Sequence, residues 1–124
     1  MVEVLPGTHG SVLLLKAVGM LSDADYRNVL IPRLEAIITE HGKARLLLDL
    51  SDFFGWELAA LWDDARFGLA HRHDFERIAV VGGPSWLDWG VKLSALMMSG
   101  ELRSFSPRAL ESAVAWVKEG KADE

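Results

Sequence analysis

The feature that most constrains this 124-residue sequence is an unbroken apolar run within the segment Ala44–Trp56, ARLLLDLSDFFGW. The three leucines at 46–48 do not alternate with polar residues, and this pattern is typical of a strand covered on both faces. Such strands lie centrally in α/β sheets, which place their sites at the carboxyl ends of the strands. The sequence therefore predicts a central strand over Arg45–Leu50 that leads through Asp52–Gly55 into a helix.

Composition predicts one folded domain and excludes several classes of protein. Half of the residues are hydrophobic, a quarter are charged, the net charge is −5, and there is no cysteine. This balance argues against general disorder, and it argues against a nucleic acid or an anionic membrane surface as the partner. Disulfides and thiolate metal sites are excluded. No stretch reaches the ~18 apolar residues of a membrane span, and the N-terminus lacks a basic cluster, so we expect a cytoplasmic protein without integral membrane contact.

Taken in order, the elements alternate in the manner of an α/β protein. Turn residues, helix caps and apolar periodicity predict the order β-β-α-β-α-β-α-β-α. The first two strands are joined through Pro6–Gly7 and form an antiparallel hairpin, whereas the later strand–helix–strand units imply parallel pairing. We therefore expect a single-domain mixed sheet with helices over residues 1–120, followed by a short frayed tail over 121–124.

Two helices raise specific questions at this stage. Pro32 lies inside the first helical pattern, where it predicts either a kink or a second helix start because proline cannot donate to the preceding turn. In the second helix, predicted over Glu57–Ala70, one apolar stripe is expected to face inward against the sheet. The stripe consists of Leu58, Leu61, Trp62, Ala65 and Leu69.

The order of elements and the phrase Leu-Asp-Leu-Ser at 48–51 resemble the STAS domain, the fold of bacterial anti-sigma-factor antagonists. More closely, the chain resembles the SpoIIAA-like family of small bacterial proteins, which is grouped with STAS and with the lipid-carrying SEC14-like (CRAL-TRIO) domains. The match runs through essentially the whole chain. It is carried by Phe54-Gly55-Trp56, Trp62-Asp63, Gly68 with His71, Glu76 to Gly82, Trp86 with Trp89, and Glu101 to Phe105.

One departure limits what that resemblance implies. The antagonists carry a phosphorylatable serine at the start of the helix after this phrase, whereas this chain has Phe53-Phe54-Gly55-Trp56 there. Ser51 is the nearest hydroxyl and is the weak candidate for a phosphoacceptor. A serine at a strand end more commonly satisfies backbone groups of a turn. The sequence therefore does not predict that the kinase cycle is inherited.

Aromatic residues replace the phosphosite. If the two central strands are parallel neighbours, six rings share one edge of the sheet and form a candidate ligand- or partner-binding cluster, because small-ligand pockets are mostly apolar with a few polar groups. The alternative is that the rings only pack helices onto the sheet. The six are Phe53, Phe54, Trp56, Trp62, Trp86 and Trp89.

The third predicted helix, from Pro84 to Met98, is apolar nearly all round, which indicates burial on more than one side. One of its stripes is therefore a candidate interface, and we expect a second copy of the chain to bind there and form a homodimer. The alternative is a helix wedged deeply in its own domain. The interface stripe consists of Trp86, Trp89, Leu93 and Leu96.

Residues with catalytic or metal-binding chemistry are sparse. His71-Arg72-His73-Asp74 lacks a second ligand group at metal spacing, and Gly82-Gly83-Pro84-Ser85 fits a tight turn better than an anion site. Asp49, at a buried strand end, needs Arg45, Arg77 or turn N–H groups to remain charged. No nucleophile or acid–base pair is recognisable, so we expect no catalytic residues, no metal and no cofactor.

Two functional interpretations follow. The first is a non-enzymatic binding or regulatory module that acts through protein–protein contacts. The second, implied by the SEC14-like side of the resemblance, is a carrier that encloses a small apolar or lipid-like ligand among Phe53, Trp56, Trp62, Trp86 and Trp89.

Overall fold

In the computed structural model, which describes residues 1–85, 92 and 98–120, a five-stranded sheet is formed in the simple order β1-β2-β3-β4-β5. The strands are β1 (Val2–Val4), β2 (Val12–Leu21), β3 (Ala44–Trp56), β4 (Phe75–Val81) and β5 (Glu101–Phe105). β1 pairs antiparallel with β2, and the other three pairs are parallel. The predicted hairpin, mixed sheet and central strand are therefore confirmed.

Helices lie on both faces of this sheet. Within the described residues they are α1 (Asp23–Asp25), a π-helical segment (Tyr26–Leu30), α2 (Ile31–His41), α3 (Leu58–Ala70), a 3₁₀ turn (Pro107–Ala109) and α4 (Leu110–Lys118). Alternate leucines of the central strands explain the two layers: Leu13 and Leu46 belong to one apolar cluster with the π-helical segment, α2 and α3, whereas Leu14 and Leu47 belong to the other with α4. This is the two-sided burial that the apolar run predicts.

Pro32 marks a second helix start. Ser22 caps α1 by accepting from the Asp25 N–H, and the Asp25 carboxylate accepts from the Ser22 N–H, a capping box. The π-helical segment then ends with the Ile31 N–H donating to the Tyr26 carbonyl. Pro32 falls in the first turn of α2, where its missing N–H costs nothing. The hydrogen bonds of the π-helical segment thus continue directly into α2, and none of them requires a backbone N–H from Pro32.

The central strand is longer than predicted. β3 extends past Leu50 to Trp56 and remains paired with β2 up to Leu21, whereas its pairing with β4 stops at Asp49. Two register shifts in β2–β3 accompany this extension. The expected turn into a helix at Asp52–Gly55 is therefore wrong, because these residues continue a two-stranded ribbon beyond the rest of the sheet.

Two arginines of the central strands hold the end of α4. The Arg45 guanidinium donates to the carbonyls of Val117 (3.1 Å) and Glu119 (2.7 Å), and that of Arg77 donates to the Trp116 carbonyl (2.7 Å). The last carbonyls of a helix lack i+4 donors, and here the arginines supply donors to them, although the Trp116 carbonyl also accepts from the Glu119 N–H (3.2 Å). Both guanidiniums are thus engaged with α4 and not with Asp49. Its carboxylate instead accepts from a turn, as described below.

Candidate interaction surface

The helix α3 is attached to the domain by a narrow inner face. Ala60 is fully buried, and the ring of Phe67 packs edge-on against Phe75 of β4 with centroids 6.3 Å apart. Asp63 is also on this side and is only 8% exposed. One small residue, one aromatic ring and one carboxyl group therefore replace the apolar stripe that normally seats a helix on a sheet.

The apolar stripe of α3 faces solvent, so the predicted inward orientation is wrong. Leu58 is 73% exposed, Trp62 62%, Leu69 49% and Leu61 46%, and Ala65 is exposed among them. We call these five residues the α3 face. Periodicity identified the stripe correctly. The inner side of the helix, however, is occupied by Ala60 and Phe67 and by the adjacent carboxylates Asp63 and Asp64, which bond to other elements. Exposed apolar surface of this kind is typical of an interaction site.

A hydrogen-bonded chain links α3 to the strand end and to the π-helical segment. The Trp56 indole N–H donates to the Tyr26 hydroxyl (2.7 Å), and this hydroxyl donates to Asp64 Oδ1 (2.9 Å). Burial raises the pKa of Tyr26 above its usual range, and the nearby Asp64 carboxylate acts in the same direction. The phenol therefore stays protonated and serves as a fixed donor to α3.

A carboxyl pair joins α3 to α1. A hydrogen bond between Asp23 and Asp63 lowers the pKa of Asp23 and raises that of Asp63. When both groups are ionised, Asp63 Oδ2 is buried without a hydrogen-bond donor, and a proton shared by the pair supplies one. Arg27 offsets part of the charge because its Nε lies 2.9 Å from Asp23 Oδ1. The pair is therefore a pH-sensitive attachment point of α3.

The predicted aromatic cluster is divided by the structure. Phe53 is buried and packs edge-on against Trp56 at 4.8 Å, whereas Phe54 is 75% exposed. Successive residues of the extended ribbon point to opposite faces, which separates these two rings. Trp62 lies on the α3 face. Trp86 and Trp89, and with them the interface stripe that also contains Leu93 and Leu96, lie outside the described residues.

Ser51 and Asp49 form a closed turn at the carboxyl end of β3. The Ser51 N–H and hydroxyl both donate to Asp49 Oδ1, at 3.0 and 2.7 Å. Gly82 approaches this turn with φ +68°, and a Cβ there would lie 2.9 Å from Ser51 Oγ. Asp49 is thus held by turn donors, and the Ser51 hydroxyl is engaged in holding it. Phosphorylation of Ser51 stays a prediction from the family resemblance.

A shallow cleft of about 320 Å³ opens beside this turn. Backbone of the β4 end, the β5 end and the 3₁₀ turn lines it, and its wall residues are Gly82, Gly83, Ser104, Phe105, Ser106 and Pro107. The Gly82 N–H donates to the Phe105 carbonyl (2.9 Å), so it is used within the fold. The Ser106 hydroxyl likewise accepts from the Arg108 N–H. The glycine turn therefore ties β4 to β5, and of the candidate rings that the structure describes, Phe53, Phe54, Trp56 and Trp62, none lines the cleft.

The histidine segment after α3 is occupied by local contacts. His71 Nδ1 lies 2.8 Å from Asp74 Oδ2, its ring stacks on Phe67, and the His73 ring contacts the Ser99 hydroxyl. Within residues 1–85, 92 and 98–120, no three His, Asp or Glu side chains converge as metal ligands would. The same part of the chain contains no helix with the length and hydropathy needed to span a bilayer.

Sequence reasoning missed the α3 face as a surface, although two signals were available. Leu58, Trp62, Ala65 and Leu69 are spaced by four, three and four residues, which is the seam spacing of paired helices. Adjacent carboxylates at Asp63 and Asp64 lie off that stripe. Because they bond to α1 and to Tyr26, the side of the helix opposite the apolar stripe faces the domain. The stripe has the spacing of a helix-pairing seam, and its four side chains are exposed in the part of the chain that the structure describes.

Comparisons with known proteins agree with this fold. The family model described as SpoIIAA-like matches residues 12–118. A similar solved structure is an uncharacterized protein of the DUF3478 family with a SpoIIAA-like fold from Shewanella loihica PV-4. It has a TM-score of 0.76 and 27% identity, with 94% of this chain and 92% of that chain covered. No curated protein matches in sequence. With the family model spanning most of the chain, this protein belongs to the SpoIIAA-like family.

Proposed function

We propose that this protein is a non-enzymatic interaction module that docks another protein chain on its α3 face. One observation carries the proposal: the apolar stripe of α3 points away from the core, with Leu58 and Trp62 more than 60% exposed. A helix on a sheet gains most of its stability by burying its stripe. A stripe left in solvent is therefore better explained by contact with a second chain.

The size and character of the α3 face support this proposal. From the exposed fractions of its side chains, the face offers roughly 500 Å² of mostly apolar surface. Specific interfaces bury about 800 Å² per partner, with an apolar core and a polar rim. The α3 face has the size of such a core. Trp62 at its centre belongs to the residue types that dominate binding energy.

The carboxylates with potential catalytic chemistry have structural roles. Asp49 accepts from both donors of Ser51, Asp64 accepts from Tyr26, and Asp63 pairs with Asp23. Catalysis needs a nucleophile or an acid–base pair that can reach a substrate. These engagements favour a binding module over an enzyme.

A photo-crosslinking experiment tests the proposal. A photoreactive phenylalanine analogue is placed at Leu61 on the α3 face, and a matched variant carries it at Arg33, an exposed position of α2. We expect crosslinked protein adducts in the native cells from position 61 and none from position 33. The adducts should disappear when Trp62→Glu is added. Equal labelling at the two positions, or adducts that survive Trp62→Glu, would contradict the proposal.

The carrier interpretation lacks such an observation. Phe53 is in the core, Phe54 is on the surface, and Trp56 is bound to Tyr26, so these three rings do not enclose a common cavity. Titrating fatty acids against the intrinsic tryptophan fluorescence tests the carrier directly. A saturable response with one ligand per chain would replace the interaction module with a carrier.

A further inference from the structure

We infer that the chain docked on the α3 face is a second copy of this protein, with the two α3 helices packed antiparallel across a two-fold axis. The inference rests on the proposed function and names its partner. Two symmetry-related helices present the same patch to each other, so the patch must be self-complementary. The α3 face meets this requirement in one register.

Four residues of the α3 face, which we call the seam, are spaced as in a pair of packed helices. Leu58, Trp62, Ala65 and Leu69 occupy alternate four- and three-residue intervals, so they form one continuous line along the helix. All four are exposed. A line of this spacing fits against a second helix at a small crossing angle, whereas a flat or globular partner requires no such repeat. The seam therefore indicates a helix as the opposing element.

The large and small side chains of the seam complement each other in an antiparallel pair. In an antiparallel pair centred between Asp63 and Asp64, Leu58 lies opposite Leu69 of the second copy and Trp62 lies opposite Ala65 of the second copy. Each large indole then meets the smallest residue of the seam, and this happens twice because of the symmetry. In a parallel pair the two Trp62 rings would instead meet each other and the two alanines would leave a gap, which packing disfavours. The antiparallel register fills the seam.

The area that two copies would bury and the lack of charge on the seam also favour a second copy. Two copies of the α3 face would bury roughly 1,000 Å² between them. This total approaches the ~1,200–2,000 Å² of a specific interface. The four seam residues carry no charge, so packing one seam against another does not require any of their own side chains to be desolvated as an ion. An uncharged, self-matching seam favours its own copy over a charged partner.

Sedimentation equilibrium of the purified full chain tests the inference. We expect a concentration-dependent dimer of the wild type. Trp62→Glu should raise the dimer dissociation constant by about 100-fold or more, because a central anchor is replaced by a charge. The matched control is Val4→Glu, which changes an exposed apolar residue on the edge strand β1. This control should dimerise like the wild type.

A charge-pair rescue tests the register. Leu58→Glu and Leu69→Lys put each charge at the helix end whose dipole favours it, so both variants should fold. Each alone should be monomeric. Mixed in equal amounts, they should form a heterodimer, because the introduced carboxylate meets the introduced ammonium and the other half of the seam stays native. In a parallel pair these positions never meet, so mixing would restore nothing.

The outcomes separate this inference from the proposed function. A wild-type monomer at all concentrations, or a dimer unaffected by Trp62→Glu, overturns the second-copy inference. A dimer that the mixed variants fail to rebuild overturns the antiparallel register. Crosslinks from position 61 to a different protein would then leave the interaction module standing with another partner. Their absence together with a wild-type monomer would remove both.

Discussion

The helices α3 and α4 pack on opposite faces of one sheet and use their apolar stripes in opposite ways. In α4 the stripe is turned inward, with Ala113 and Val117 fully buried and Trp116 only 8% exposed. In α3 the stripe is turned outward, and its Trp62 is 62% exposed. Both helices are amphipathic. Only one of them uses its apolar side to hold the domain together.

The difference lies in what anchors each helix. α4 combines an apolar stripe with the guanidiniums of Arg45 and Arg77, which bind its last carbonyls from the strands below. α3 is anchored by Phe67, the Tyr26–Asp64 hydrogen bond and the Asp23–Asp63 pair. A helix held by a few polar contacts has its apolar stripe free for another chain. An apolar stripe therefore predicts that a helix face is buried, but it does not predict whether its own domain or another chain buries that face.

The largest expected effect comes from the same substitution made on both helices. Trp116 packs against Phe105 and lies under Arg77 and Arg103, whose guanidinium carbons are 4.9 and 5.1 Å from its ring. Trp116→Ala should lower the free energy of unfolding by about 3–5 kcal/mol, because a buried ring is lost. Trp62→Ala should change it by about 0.5 kcal/mol or less in the monomer. Urea denaturation, at a concentration that keeps the chain monomeric, measures both.

These two tryptophans serve as each other's control. An equal loss of stability in the two variants would mean that α3 also uses its stripe to hold the fold, and it would remove the contrast between the helices. Far-UV circular dichroism before denaturation establishes that each variant starts from the folded state.

A smaller effect is expected from the polar anchor of α3. Tyr26→Phe keeps the buried ring and removes the hydroxyl that links Trp56 to Asp64. The free energy of unfolding should fall by about 1–3 kcal/mol, as for a buried hydrogen bond to a charged group. Hydrogen exchange should show faster opening of α3 while α4 keeps its protection. Uniform loosening of both helices would contradict a local anchor.

The smallest effect is a pH dependence carried by the carboxyl pair. The raised pKa of Asp63 contributes stability below its ordinary value that is lost as the pH rises through the raised pKa. The lowered pKa of Asp23 contributes stability above its ordinary value that is lost as the pH falls through the lowered pKa. Stability from this pair should therefore peak in the acidic range between the two pKa values.

The variant Asp63→Asn isolates this contribution. The amide donates to Asp23 at every pH, so the decline on the alkaline side of the peak should disappear from the urea midpoint measured against pH. An unchanged alkaline decline in the variant would assign the pH dependence to other groups. Glu76→Gln, at a carboxyl on β4, is the matched control and should keep the alkaline decline.

Much of the fold follows from local patterns in the sequence. The unbroken leucines at 46–48 indicated a strand buried on both faces, and Pro6–Gly7 indicated the hairpin. The structure adds two more local signals: Ser22 caps α1, and Gly42, at φ +79°, closes α2. The resemblance to the SpoIIAA-like family came from short phrases along the whole chain. Each of these signals is read from neighbouring residues, and neighbouring residues are sufficient to produce it.

Other features required the folded chain. The extension of β3 to Trp56 depends on the partner strand β2, because pairing holds Phe53 and Phe54 in a ribbon where local preference suggested a turn. That extension placed Phe53 in the core and Phe54 on the surface, and so divided the predicted aromatic cluster. The partners of Asp49 and of the two strand arginines were likewise fixed by which groups the fold brought within reach.

By itself the sequence determined which residues of α3 form an apolar stripe, since a 3.6-residue period is a property of the chain alone. The direction in which that stripe points was decided only by the tertiary structure. Phe67, Asp63 and Asp64 find their partners on β4, α1 and the π-helical segment, and satisfying those contacts rotates the stripe into solvent. A single stretch of sequence cannot encode that rotation, because it also requires Asp64 to meet Tyr26, which is 38 residues away in the chain.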